Sequence, residues 1–148
     1  MSNILRPYMT EGYEEYKKSR YIEFLNELGT GICFDNDTWV CDKRIRSFAE
    51  DPNIVSIYFS SIQEDYRTIA KYFAIIKMMN GKSVRGVKVN VLDLDVFFKS
   101  LSKHIKLSEI NMTTATEYKA FLDQVHYTET SRYSRWSVVS IFLKTMNG

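Results

Sequence analysis

From Lys82 to Leu101 the residues Val84, Val87, Val91, Leu94, Phe98 and Leu101 recur in steps of three and four, the repeat of one helix face. Val89, Leu92 and Val96 form a second apolar strip, so the later turns of this helix are expected to be covered on two sides. Its head is different. Lys82, Arg85 and Lys88 step round the N-terminal turns away from the apolar face. The macrodipole is already positive there, so three cations oppose the helix's own stability, and an external anion such as a phosphate would relieve the conflict.

The same periodicity organises the rest of the chain. Residues 11–28 place Tyr13, Tyr16, Phe24 and Leu28 near helical spacing, with Gly29-Thr30-Gly31 as the stop. Ile32–Phe34 and Thr38–Val40 flank Asp35-Asn36-Asp37, which reads as a turn and predicts a small hairpin. Asp51-Pro52-Asn53 is a break, and the β-branched run Ile54–Phe59 reads as a short strand or an extended connector. Ser61 with Glu64 has the spacing of a capping box, opening a helix through Tyr66, Ile69, Phe73 and Ile76, with Tyr72 and Met79 widening its face. Asn80-Gly81 closes it. Beyond Leu101, Leu107 and Ile110 are expected to plug the core. Thr114 with Glu117 predicts a helix turning Tyr118, Phe121 and Leu122 inward. Thr128-Glu129-Thr130 opens a last helix whose inward set is Trp136, Val139, Phe142, Leu143 and Met146. The expected fold is mainly α: a four-helix domain over residues 61–148, preceded by an extension, residues 1–60, with a helix and a possible short hairpin.

Composition narrows the function classes. The chain has 148 residues, 45% of them hydrophobic, enough for one folded core. It contains no apolar run long enough to span a membrane, and its first residues lack an apolar signal core, so no membrane partner and a cytoplasmic location are expected. Cys33 and Cys41 then read as reduced thiols. With His104 and His126 far from them in sequence, no metal site is expected. Charge is uneven. Residues 1–66 hold 7 Lys/Arg against 12 Asp/Glu, a net of −5, whereas residues 67–148 hold 13 against 6, a net of +7. Such asymmetry points the second half at a polyanion.

Motifs of catalysis are missing: there is no Gly-x-Ser-x-Gly, no Walker loop, no His-Glu-x-x-His and no glycine-rich dinucleotide turn, so no catalytic residue and no cofactor is expected. The basic residues form a better pattern. Lys71 and Lys77 lie on the first helix of the quartet. Lys82, Ser83, Arg85 and Lys88 lie at the head of the second, and Arg132, Ser134 and Arg135 at the head of the fourth. Arginines and serines at two helix starts suit phosphate positioning with some base-edge contact in a major groove of double-stranded DNA.

The segment KSVRGVKVNVLDLDVFFKSLSKHIKLSEINMTTATEYKAFLDQ, followed by YTETSRYSRWSVVSIFLKTM, resembles the core-binding (SAM-like) domain of tyrosine recombinases, the phage-integrase family. The features that carry the likeness are Ser83 opening a helix, Leu92-Asp93-Leu94 before Phe97-Phe98, Leu107 with Ile110, Thr113 with Tyr118, and Arg135 ahead of Trp136 and Phe142. The resemblance covers about residues 62–148. It implies a module that clamps duplex DNA for a catalytic domain, in DNA recombination or integration, with other recombinase protomers as partners. Gly86 departs from the family, which usually has a threonine there. The family's His-x-x-Arg box and tyrosine nucleophile do not occur either. The chain is therefore expected to be the N-terminal part of a recombinase, binding DNA and catalysing nothing by itself. The alternative is a helical protein–protein module whose basic surface meets an acidic partner.

Overall fold

The computed structural model describes residues 11–29, 31–42, 54–101, 109–125 and 127–146; side chains of residues 11–19 and of Met112 are outside the description. Five helices and two strands follow one another: α1 (Glu11–Leu28), β1 (Thr38–Cys41), β2 (Val55–Tyr58), α2 (Glu64–Met79), α3 (Val84–Ser100), α4 (Met112–Gln124) and α5 (Glu129–Met146). The architecture is mainly helical with a small antiparallel sheet, as the periodicity predicts. No helix among the described residues is long and apolar enough to cross a membrane.

α2 is the central element. From Ile69 to Ile75 every side chain is buried, so this helix needs cover on all sides rather than along one stripe. On one side Tyr72 meets Tyr21 of α1 at 5.4 Å and Phe34 at 5.1 Å between ring centroids. On the other Phe73 lies edge-on to Phe142 of α5 at 5.3 Å, and Tyr66 stacks on Phe98 of α3 at 4.7 Å. The Phe73–Phe142 pair is T-shaped and the Tyr66–Phe98 pair stacked, arrangements that ring quadrupoles favour, while the two pairs of Tyr72 are tilted. The sheet closes the first side. β1 and β2 pair with Thr38 opposite Tyr58 and Cys41 opposite Val55, which turns Trp39, Cys41, Val55 and Ile57 inward. The boundary drawn at residue 60 therefore runs through a single hydrophobic core and not around it.

Several local expectations change. Ile32–Phe34 is not a strand: Asp35-Asn36-Asp37 does turn, with Asn36 N–H donating to the Cys33 carbonyl at 3.0 Å, but β1 pairs with β2 instead. The Asp37 carboxylate is held by Arg67 at 3.0 Å and Lys71 at 3.1 Å, which pulls this turn onto α2. Ser61 does not cap α2. The helix begins at Glu64 behind Gln63, and the Ser61 hydroxyl bonds the Asp95 carboxylate and accepts from Lys99 at 2.7 Å, charge-assisted bonds that outcompete a cap. The box at α4 sits earlier than expected: Asn111 Oδ1 accepts from Thr113 and Thr114 N–H, and Thr114 Oγ1 accepts from Asn111 N–H. Val89 and Leu92 are not covered; they are about half exposed, as is Tyr58. Phe121 also lies at the surface, and Trp136 is half-buried at the edge of the core. Thr128 opens α5 as expected, its Oγ1 accepting from Ser131 N–H at 3.1 Å. Phe24 and Leu28 are buried as expected, while Tyr13, Tyr16, Leu107, His104 and His126 lie outside the described side chains.

Burial also settles the chemistry of Cys41. Desolvation, reinforced by the Asp42 charge, pushes its thiol up to about 11, so it is protonated at neutral pH, whereas Cys33 is exposed. Iodoacetamide should alkylate Cys33 in the native protein and reach Cys41 only after denaturation; mass spectrometry of the two states reads this directly. Trp39 is fully buried and touches Phe59 and Phe34. Trp39→Ala should cost about 3–5 kcal/mol, the usual loss for a large aromatic in a core, measured by urea unfolding.

Candidate nucleic-acid interface

The end of α2 assembles the first part of the site. Gly81 adopts φ 103°, Gly81 N–H donates to the Met78 carbonyl, and Lys82 N–H donates to the Lys77 carbonyl, both at 3.0 Å. This is a Schellman closure, and it needs the left-handed conformation glycine allows. Its second bond ties the backbones of Lys77 and Lys82, bringing two lysines five residues apart to one corner of the molecule.

The start of α3 sets the aim of Lys82. Ser83 is the N-cap, its Oγ accepting from Gly86 N–H at 3.1 Å. A Cβ at Gly86 would sit 3.1 Å from Lys82 Cε and equally close to the Ser83 hydroxyl. The missing side chain thus leaves the track along which the lysine stem lies.

α5 completes the site. A cavity of about 280 Å³ opens between the end of α2, the first turns of α3 and the middle of α5. Lys77, Lys82, Asn90, Ser134 and Ser137 supply its polar lining, while Phe73, Val138 and Ile141 form the apolar part and Tyr133 borders it. Neither lysine meets a carboxylate among the described residues. Asn90 is only 9% exposed and makes no side-chain hydrogen bond with a described residue. Two ammonium groups without a carboxylate partner among the described residues, two hydroxyls and the Asn90 amide lining one cavity form a site with anion-binding chemistry.

The remaining basic residues divide. Lys71 was expected at the DNA surface and is instead 4% exposed, paired with Asp37 and lying 5.6 Å and 5.8 Å from the Phe34 and Phe59 ring centroids. It holds the turn before β1 and has no face to offer a ligand. Arg135 pairs with Asp93 of α3 at 3.0 Å, with its guanidinium 4.5 Å from the Tyr127 ring centre. Arg132 donates to the Tyr127 carbonyl at 2.9 Å and faces Asp123 at 3.6 Å. Lys88 lies over the Tyr58 ring at 5.4 Å, and Arg85 is exposed at the head of α3. Of the nine residues expected from sequence, the fold gathers Lys77, Lys82 and Ser134 into the cavity, with Ser83 as the cap beside it. Asn90, Tyr133 and Ser137 join them without having been singled out. Asn90 left a signal: it is a polar residue on the α3 stripe of Val87, Val91 and Leu94.

Asp93, like Asp95, is buried on α3 as well. Burial raises its carboxyl above the ordinary range, and the nearby Arg135 offsets only part of that rise. Tyr118, facing the same pair, is pushed up to about 12 by burial. No group of histidine, cysteine or carboxylate side chains among the described residues is arranged to hold a metal ion.

With this geometry in place, comparison with known proteins adds no relative: no protein-family model matches the chain, and neither a curated protein nor a solved structure matches it.

Two expectations follow from the site. Asp93 binds its proton more readily folded than unfolded, so the stabilisation this supplies is fully present below the unfolded-state value and fades as pH rises through the raised folded value. Thermal melts across that window should show stability falling with pH in the native chain, and a flatter profile in Asp93→Asn. Gly86→Ala would ordinarily stabilise a helix by about 0.5–1 kcal/mol; here it should instead displace the Lys82 stem, giving an unchanged or higher melting temperature together with weaker anion binding.

Proposed function

We propose that this chain binds double-stranded DNA, seating a backbone phosphate in the cavity between α2, α3 and α5. The observation that carries this reading is the convergence of Lys77 and Lys82, without a carboxylate partner among the described residues, on the hydroxyls of Ser134 and Ser137. Lysine point charges and short hydroxyl donors are the usual means of holding a backbone phosphate. Arg85, Lys88 and Arg132 extend the positive surface around the heads of α3 and α5. Arg135 would read a base only by leaving Asp93.

The narrower reading is the N-terminal, core-binding part of a site-specific tyrosine recombinase. It is supported by the resemblance over residues 62–148 and by the run of four helices α2–α5 that ends in the Arg135–Trp136 helix. In that role the module holds DNA for a catalytic domain and works beside other protomers. A second reading, a module for an acidic protein partner, is favoured by the exposed Val89, Leu92 and Tyr58 beside Lys88.

Salt dependence separates the two. Fluorescence anisotropy with a duplex at several salt concentrations should give a steep log–log slope, and Lys77→Ala and Lys82→Ala should each lower it by about one while weakening binding on all sequences. Lys17→Ala and Lys18→Ala, in the acidic half, should leave it unchanged. A shallow slope insensitive to Lys77 and Lys82 would sink the DNA reading in favour of the protein partner. A nicked duplex should yield no covalent protein–DNA adduct, assayed by denaturing gel; an adduct would overturn the non-catalytic role.

A further inference from the structure

The cavity is larger and more varied than a backbone phosphate requires. At about 280 Å³ it stands near the lower end of small-molecule pockets, roughly 300 Å³ upward, and a bare phosphate would leave most of it filled with water. Its lining is also graded. The lysines lie at the α2–α3 corner, Phe73 and Val138 form a buried apolar wall, Ile141 lies on the exposed side, and Asn90 offers a donor and an acceptor from a residue nine-tenths buried. Tyr133 borders the cavity with its side chain 72% exposed, and its ring meets no other ring among the described residues.

These features match the parts of one ligand class. A phosphate suits the paired ammonium groups. A planar heterocycle suits an exposed tyrosine face, since stacking on an aromatic ring tolerates any base. A base edge carrying a donor beside an acceptor suits the open amide of Asn90, the complement asparagine commonly offers adenine. We infer that the cavity is a nucleotide pocket, taking one unpaired nucleoside monophosphate unit with its phosphate at Lys77 and Lys82, its base against Tyr133 and its base edge at Asn90. The unit would come either from a DNA strand, as an overhanging or extruded nucleotide, or from a free mononucleotide. The assignment of the strand as source rests on the DNA reading above; the pocket itself does not.

The test uses the full chain and three probes. Titration calorimetry with dAMP, inorganic phosphate and deoxyadenosine should show dAMP binding roughly tenfold tighter than either part, the scale of one stacked base. A duplex with a single 5′-phosphorylated overhanging nucleotide should bind better than the blunt duplex, and dAMP should abolish that preference. Tyr133→Leu, at an exposed position where folding is not at stake, should remove the dAMP advantage over inorganic phosphate, and Asn90→Ala should weaken dAMP by a larger factor than it weakens phosphate. Phosphate binding as tightly as dAMP would overturn the inference and leave the DNA reading intact. Strong dAMP binding with no duplex binding would uphold the pocket, assign it to free nucleotide and remove the DNA reading. Strong dAMP binding with equal affinity for blunt and overhanging duplexes would likewise uphold the pocket and exclude the strand as its source.

Discussion

A helix whose middle turns are buried on every side constrains everything around it. The segment Ile69–Ile75 cannot be satisfied by a single partner, because its apolar surface faces outward in all directions. The chain meets this demand with α1 and the Phe34 turn on one side and α3 and α5 on the other, the β1–β2 sheet reaching across to α3. Aromatic pairs carry both contacts, so the N-terminal part and the helical quartet share one core. The one charge inside that segment, Lys71, is tolerable only because the Asp37 carboxylate reaches it from the turn before β1. Removing Asp37 would leave an ammonium group in an aromatic box with no counter-charge.

The site inherits its geometry from the way this helix ends. A buried helix must stop abruptly if the next one is to pack beside it, and Gly81 supplies the reversal. The hydrogen bond that completes the reversal fixes Lys82 against Lys77, so the basic corner is a by-product of helix termination. α3 then turns a partly polar flank towards α5. Asn90 borders the cavity, and Asp93 one turn further meets Arg135. One helix flank therefore carries both an open amide and a closed ion pair, separated by a single turn.

Long periodic segments were legible in the sequence, because burial on a helix leaves a repeat: the bounds of α1, the closure at Asn80-Gly81 and the inward set of α5 from Val139 to Met146 follow from spacing. Elements decided by remote partners were not. Ser61 has the spacing of a capping residue, yet a charged pair 34 and 38 positions downstream claims its hydroxyl. Thr38–Cys41 has a plausible strand neighbour close by, but the inward Trp39 requires one that carries Ile57 to the same side. For the candidate site, charge clustering singled out Lys77, Lys82 and Ser134, which line the cavity, together with Lys71, which is buried, since a lysine's sequence surroundings do not reveal whether a carboxylate will bury with it. Nothing local in the sequence marks Tyr133 and Ser137 as facing a cavity.

The placement of the two tryptophans gives the molecule separate optical reporters. Trp39 is fully enclosed among Phe34 and Phe59, with its indole N–H donating to the Cys33 carbonyl at 3.2 Å. Trp136 borders a second cavity between α4 and α5, beneath the Lys119 ammonium at 5.5 Å, and Tyr133 forms part of that cavity as well. The emission of the intact protein is thus a sum of a fully shielded component from Trp39 and a less shielded one from the half-buried Trp136. An anionic quencher drawn to the α5 surface would dim the second alone, so unfolding and surface occupancy can be followed in the same cuvette without a label.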